Sequence, residues 1–152
     1  MFNNKKLKKF KSWGNNIKIE SKEIIFSDYL TKNKSQNLTI YGNGRSYGDC
    51  ALGSNILSMN YNKGIKKFDK EKGIIECNSG TILRDINSLI IPEGWFLPVS
   101  PGTSLATIGG CVASDVHGKN HFKNGSFSDH VINFKILNSN DKIIEISRSE
   151  SP

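Results

Sequence analysis

Apolar and polar positions alternate in short stretches, and the pattern divides the chain into many brief elements rather than a few long ones. Residues 22–26 and 38–41 are short apolar runs that predict strands, with Ser27-Asp28-Tyr29-Leu30 between them as a cap and first helical turn. These three pieces make a β-α-β unit. Residues 55–60 alternate as a further strand, and residues 65–69 and 73–78 flank Lys70-Glu71-Lys72, which predicts a hairpin with a charged tip. Between Ser79-Gly80 and Pro92, residues 81–91 carry Ile82, Leu83, Ile86, Leu89 and Ile90 at helical spacing, so a core-facing helix is expected. The aromatics of Trp95-Phe96-Leu97-Pro98 read as core. Residues 107–114 predict a short helix, and residues 131–137 and 142–147 a last hairpin around Asn138-Ser139-Asn140-Asp141. The order is that of an α+β domain: a small β-α-β part, then a larger part of mainly antiparallel hairpins with one long helix.

Length is enough for one domain with a real core, since 152 residues bury roughly two-thirds of their unfolded surface. The 36% hydrophobic content is modest and predicts marginal stability. A net charge of +7 invites a nucleic-acid reading, but Lys5, Lys6, Lys8, Lys9 and Lys11 crowd the first residues without a helical period. Residues 1–12 therefore read as a frayed, solvated tail, and no nucleic-acid partner is expected. Cys50, Cys77 and Cys111 are odd in number and widely spaced, with no zinc pattern, which fits free thiols, a reducing compartment and no metal site. No segment approaches the roughly 18 apolar residues of a membrane span, and no apolar run follows the basic start, so a cytoplasmic protein without a transmembrane segment is expected.

Two stretches are bare of bulky side chains. The first, Tyr41-Gly42-Asn43-Gly44-Arg45-Ser46-Tyr47-Gly48-Asp49, follows an apolar run. A strand ending in such a turn presents successive backbone N–H groups to an anion, and Arg45 and Ser46 add donors suited to phosphate oxygens. Its spacing misses the dinucleotide fingerprint by one residue, and there is no G-x-x-x-x-G-K-[ST] loop, so a Rossmann or P-loop fold is disfavoured while phosphate binding is not. The second runs from Pro101 to Phe127 and holds Gly102, Gly109, Gly110, Gly118 and Gly125 together with His117, Lys119 and His121. The first N–H groups of the short helix at residues 107–114 are expected to face a ligand.

In this order, YGNGRSYGD, PGTSLATIGG and SDVHGKNHFKNGSFSDHV resemble the FAD-binding domain of the vanillyl-alcohol-oxidase superfamily, the PCMH-type fold. Within it they resemble the decaprenylphosphoryl-β-D-ribose oxidases and the sugar-alcohol and sugar-lactone oxidases around them. Trp13-Gly14-Asn15 is similar to the short opening motif of those relatives. The resemblance implies a two-lobed domain over residues 13–152, with a small lobe at about 13–60 and a larger one at about 61–152, and a C-terminal part of the family pattern that this sequence does not contain.

It also implies FAD lying between the lobes. Ile40, Tyr41, Gly42, Asn43, Gly44, Arg45, Ser46, Tyr47, Gly48, Asp49 and Cys50 would wrap the pyrophosphate, with Asp49 fixing the turn. Gly102, Thr107, Ile108, Gly109 and Gly110 would take the other side of the phosphates and ribitol, and Ser114, Asp115, Val116 and His117 would run along the isoalloxazine. Many members tether FAD through a histidine one residue before the serine of the first turn. Arg45 stands there, so noncovalent FAD is expected. Tyr47 and Lys119 would line the substrate side. His117 either helps remove the alcohol proton as hydride leaves for the flavin, or only packs beside the ring. His121 and His130 read as structural. The activity implied is oxidation of a CH–OH group of a sugar or sugar-lipid. The alternative is a non-catalytic half-domain that needs a second chain.

Overall fold

The computed structural model describes residues 7–31 and 37–149. Four strands, β1 (Lys8–Lys11), β2 (Lys18–Ile25), β3 (Thr39–Tyr41) and β4 (Asn55–Ser58), form one sheet in the order β1-β2-β4-β3. The first half of β2 pairs antiparallel with β1, from Lys8↔Ser21 to Lys11↔Lys18, and its second half pairs parallel with β4, from Lys22↔Asn55 to Ile25↔Ser58. Helix α1 (Phe26–Thr31) leaves the end of β2. The β-α-β unit is thus present, but β4 lies between its two strands. The reason is burial: Ile56, Leu57 and Ser58 are all buried, as a strand covered on both faces must be, whereas Ile40 of β3 is exposed at the sheet edge.

The lysine-rich start needs a correction. Lys8, Lys9 and Lys11 are not part of a frayed tail but stand in β1 around the buried Phe10, whose ring meets Tyr41 edge-on at 4.9 Å. Lys8 bonds Glu23 across the sheet at 2.9 Å. A period of two was hidden there, because one apolar residue among lysines gives no repeat to read. Lys5 and Lys6 lie outside the described residues.

The remaining elements surround a second core. Strands β5 (Ile65–Asp69) and β6 (Ile74–Cys77) form the charged-tip hairpin, in which the Asp69 carboxylate accepts the N–H groups of Glu71 and Lys72. Helix α2 (Leu83–Ile90) buries Leu83, Ile86 and Ile90, while Leu89 and Ile91 face outward. Pro92 does not stop the chain abruptly. It sits in a 3-10 turn, Ile91–Glu93, closed by Gly94 at φ 81°. Trp95 and Phe96 are not core: they are 38% and 61% exposed, and Trp95 donates its indole N–H to Lys70 O at the hairpin tip, over the space left by Gly73. Helices α3 (Ile108–Ala113) and α4 (His121–Asn124) follow, then the hairpin of β7 (Asn133–Leu137) and β8 (Ile143–Ser147). The buried residues gather in two clusters, Phe10 with Tyr41 and Ile56, and Leu83 with Val99, Cys111 and Phe127.

One backbone seam joins the helices of the second cluster. Segment 79–84 lies beside segment 104–109: Leu83 and Arg84 donate to Ala106 O and Ser104 O, and Ile108 and Gly109 donate back to Thr81 O and Ser79 O, all between 2.8 and 3.0 Å. Downstream, the chain from α3 to β7 is closed by two aspartates. Ser128 N–H donates to Asp115 Oδ1 and Ser126 N–H to Asp129 Oδ2, both at 2.9 Å, and Arg148 pairs with Asp129 at 2.9 Å. These bonds hold both carboxyls below their ordinary range, Asp115 chiefly through the Ser128 N–H and Asp129 chiefly through the Ser126 N–H and then Arg148.

Two outcomes follow from this packing. Phe10→Ala should destabilise the chain by about 3–5 kcal/mol in urea unfolding, the range for a truncated buried aromatic, while Lys9→Ala stays within about 0.5 kcal/mol. Equal midpoints for the two variants would return β1 to a tail. The aspartate clamp stabilises fully above the unfolded carboxyl value of about 3.9 and is lost as pH falls through the lower folded value. The amide shifts of Ser126 and Ser128 should therefore titrate with midpoints below about 3.9; midpoints at or above that value would mean that the clamp does not form.

Candidate functional site

The first glycine turn is seated by the N-terminal residues. Tyr41 donates its hydroxyl proton to Lys11 O at 3.0 Å, and Gly44, at φ 64°, packs so closely on that hydroxyl and on the Lys11 carbonyl that no Cβ fits. Trp13 N–H donates to Ser46 O at 3.0 Å, and the Arg45 guanidinium lies 4.9 Å from the centre of the Trp13 ring, with its Nε–H on Asn43 O. The opening Trp-Gly, weak as a sequence signal, therefore aims the one arginine of the turn. Among the described residues, the N–H groups of Gly44, Arg45, Ser46, Tyr47 and Gly48 meet no acceptor. Beyond them Tyr47 is 78% exposed, and Ser46, Gly48, Asp49 and Cys50 are exposed as well. The turn there is closed by the Asp49 carbonyl, which accepts Leu52 N–H at 2.8 Å, rather than by its carboxylate.

The fold brings the second stretch against the first. Asn43 donates its side-chain N–H to Leu105 O at 2.9 Å, and Gly42 lies against Thr107, where an added Cβ would stand 2.7 Å from the hydroxyl oxygen. Neither contact has a signature in the sequence, because the partners are more than 60 positions apart.

The expectation that the first N–H groups of α3 face a ligand is not met. Ile108 N–H donates to Thr81 O, Gly109 N–H to Ser79 O, and Gly110 N–H to the Thr107 hydroxyl that caps the helix. All three are consumed by the seam and the cap. The two glycines also differ: a Cβ at Gly109 would press on Ser79 at 3.0–3.1 Å, side chain and backbone alike, whereas Gly110 is exposed and meets only the Thr107 hydroxyl at 3.1 Å. Gly102 is exposed with open space where a Cβ would go.

From α3 the chain turns sharply through Ser114 and through Asp115 at φ 39°, its carboxylate held as described, and Val116 packs on the second core. His117 forms an isolated antiparallel bridge with Ser126, and its ring lies 5.0 Å from that of His121. Gly118 runs close over Ser100 O, and Asn120 and Asn124 both donate to Pro98 O. His121 Nδ1 bonds Gly125 O at 3.0 Å, and His130 Nε2 bonds Asn124 O at 2.8 Å. Lys119 is exposed, as is His117. Burial pushes the Cys111 thiol up to about 12, so it is inert packing, and burial likewise raises Cys77.

Comparison with known proteins gives this arrangement a context. The chain is 36% identical over 104 residues, 67% of its length, to the decaprenylphosphoryl-beta-D-ribose oxidase of Mycolicibacterium smegmatis, of which it covers 23%. It is 25% identical over 123 residues, 80% of its length, to the L-gulonolactone oxidase of Bos taurus, covering 28% of that protein. In fold it is similar to a solved aclacinomycin oxidoreductase, with a TM-score of 0.61 over 82% of this chain and 27% of that one, at 13% identity. The chain thus spans about a quarter of the length of these curated relatives. A family described as FAD binding domain matches residues 28–147, which take in both glycine stretches and the histidine segment. On that match the chain belongs to the FAD binding domain family, of PCMH-type fold, whose cofactor is FAD.

Proposed function

We propose that the chain is the FAD-binding portion of a flavin-dependent oxidoreductase that oxidises a CH–OH group of a sugar or sugar-lipid, with FAD held noncovalently. The observation that carries this reading is the row of five backbone N–H groups from Gly44 to Gly48 that meet no acceptor among the described residues, beside the aimed Arg45. Such a donor set fits a pyrophosphate, whose oxygens need several N–H partners and a cation at once. The sugar-derived names of the ribose oxidase and gulonolactone oxidase relatives support the substrate class.

In this reading residues 40–50 hold the phosphates. Gly102 and Gly110 leave room for the cofactor chain, and Ser114, Asp115, Val116 and His117 border the flavin, with Tyr47 and Lys119 towards the substrate. When bound, FAD supplies the acceptor for hydride from the substrate carbon. The protein's own residues do the rest: the Asp115 and Asp129 clamp orients the segment, and His117 offers a ring nitrogen for the alcohol proton. Arg45, engaged with Trp13, takes the place where a tethering histidine would stand. Three free cysteines support a reducing compartment, and no described helix is long and apolar enough to cross a membrane.

A second reading, a half-domain completed by another chain, is favoured by one observation. Phe134 and Ile136 of β7 and Ile144 of β8 form an apolar cross-strand face that is 37–42% exposed. Gel filtration of the chain with FAD separates the two readings: flavin retained by the chain alone supports the first, and flavin retained only with a partner supports the second.

The glycine pair tests the cofactor site itself. Gly110→Ala should weaken FAD binding about tenfold or more, equivalent to ~1.4 kcal/mol, while the melting temperature of the apoprotein stays nearly unchanged, because alanine favours the helix and only the Thr107 hydroxyl must yield. Gly109→Ala, pressed against Ser79, should instead cost the apoprotein about 1–3 kcal/mol. Equal FAD dissociation constants for wild type and Gly110→Ala would remove this stretch from the cofactor site.

A further inference from the structure

We propose that the cleft between α2 and residues 100–104 binds a neutral sugar ring, away from the phosphate donors of the first glycine turn. The cleft has a volume of about 240 Å³ and is lined by Leu83 and Asn87 of α2, by Phe96, and by the chain from Ser100 to Ser104. Backbone hydrogen bonds fix which way it faces. The carbonyls of Ser104 and Ala106 accept the N–H groups of Arg84 and Leu83, whereas the Leu105 carbonyl between them accepts the Asn43 side chain from the first turn. The cleft therefore lies on the α2 side of this segment, and the turn on the other.

The lining decides what the cleft can hold. Among the described residues four buried side-chain oxygens have no hydrogen-bond partner. Those of Ser21 and Ser58 stand in β2 and β4, while the other two, Asn87 Oδ1 and Ser100 Oγ, both belong to this lining. Buried polar groups left unpaired are costly, so two in one wall call for a ligand that pairs them. Asn87 Oδ1 can only accept, so that ligand must donate. The Thr103 hydroxyl already accepts Leu105 N–H at 3.2 Å, which leaves its own proton for an acceptor. A sugar hydroxyl answers both needs. Among the described residues no charged side chain lines the cleft, so nothing there balances an anion. Phe96, 61% exposed, adds an aromatic surface on which the C–H face of a sugar packs. The volume lies below the roughly 300 Å³ at which pockets for drug-sized ligands begin, which limits the occupant to a single ring.

The assignment does not depend on the oxidoreductase reading, but Gly102 lines the cleft as well, so FAD is the competing occupant and enters the test. The full chain, without flavin, is titrated with methyl β-D-ribofuranoside and with methyl α-D-glucopyranoside while its amide and Asn87 side-chain resonances are followed by NMR. At least one glycoside should shift Asn87, Thr103 and Ser104 saturably in the millimolar range, and inorganic phosphate should not. Asn87→Leu should weaken that binding about tenfold, the loss of one hydrogen bond. Phe96→Ala, at an exposed position, should weaken it too without disturbing the fold, so the test holds even if Asn87→Leu does not fold. Failure of both glycosides to shift these resonances in the wild type overturns the proposal. So do shifts with phosphate, equal dissociation constants in the wild type and the variants, or displacement of the bound glycoside by FAD.

Discussion

The seam between segments 79–84 and 104–109 is the constraint on which the rest of the site depends. It consumes the N–H groups that would otherwise open α3, fixes where that helix starts, and presents Leu105 and Thr107 to the first glycine turn. Backbone hydrogen bonds suit this task because they leave side chains free and tolerate little drift in register. Gly80 and Gly109 make the approach possible, since at each of them a Cβ would strike backbone across the seam or beside it. Two short elements that would be marginal alone, α3 and the loop before it, are thus made rigid by partners far away in sequence.

Rigidity is distributed unevenly around the site. On one side the turn at residues 42–48 is tied through Tyr41 to Lys11 and through Ser46 to Trp13, while the N–H groups from Gly44 to Gly48 meet no acceptor among the described residues. On the other, the segment from Asp115 to His130 is held by backbone hydrogen bonds and by side chains capping backbone: two aspartates, two asparagines and two histidines, each bonded to main chain. An anion site needs the first arrangement, donors in place with nothing yet to donate to. A site for proton exchange needs the second, polar groups fixed without being buried.

Much of this was legible in the sequence. The strands at 39–41, 65–69, 74–77, 133–137 and 143–147 stand where alternation and turn residues put them, and α2 shows the expected buried Leu83, Ile86 and Ile90. These are local effects, in which the side-chain period meets one apolar face. The ordered glycine and histidine motifs identified the family, because close backbone approach leaves its mark in residue type. What was misread has a common cause. Phe10 fell within the stretch read as a frayed tail, and Trp95 and Phe96 looked like core, because burial depends on what the tertiary fold lays over a residue and not on its own hydrophobicity.

By itself, then, the sequence determined the element types, the α+β class, the family and the two bare stretches. Propensity, period and glycine placement are properties of neighbouring residues. Only the tertiary structure decided that β4 enters between β2 and β3, that the N–H groups of α3 are spent internally, that Gly109 answers to Ser79 while Gly110 faces out, and that His121 meets His117. Each of those is settled by which distant backbone or ring occupies the space beside a residue, and no local pattern encodes that neighbour.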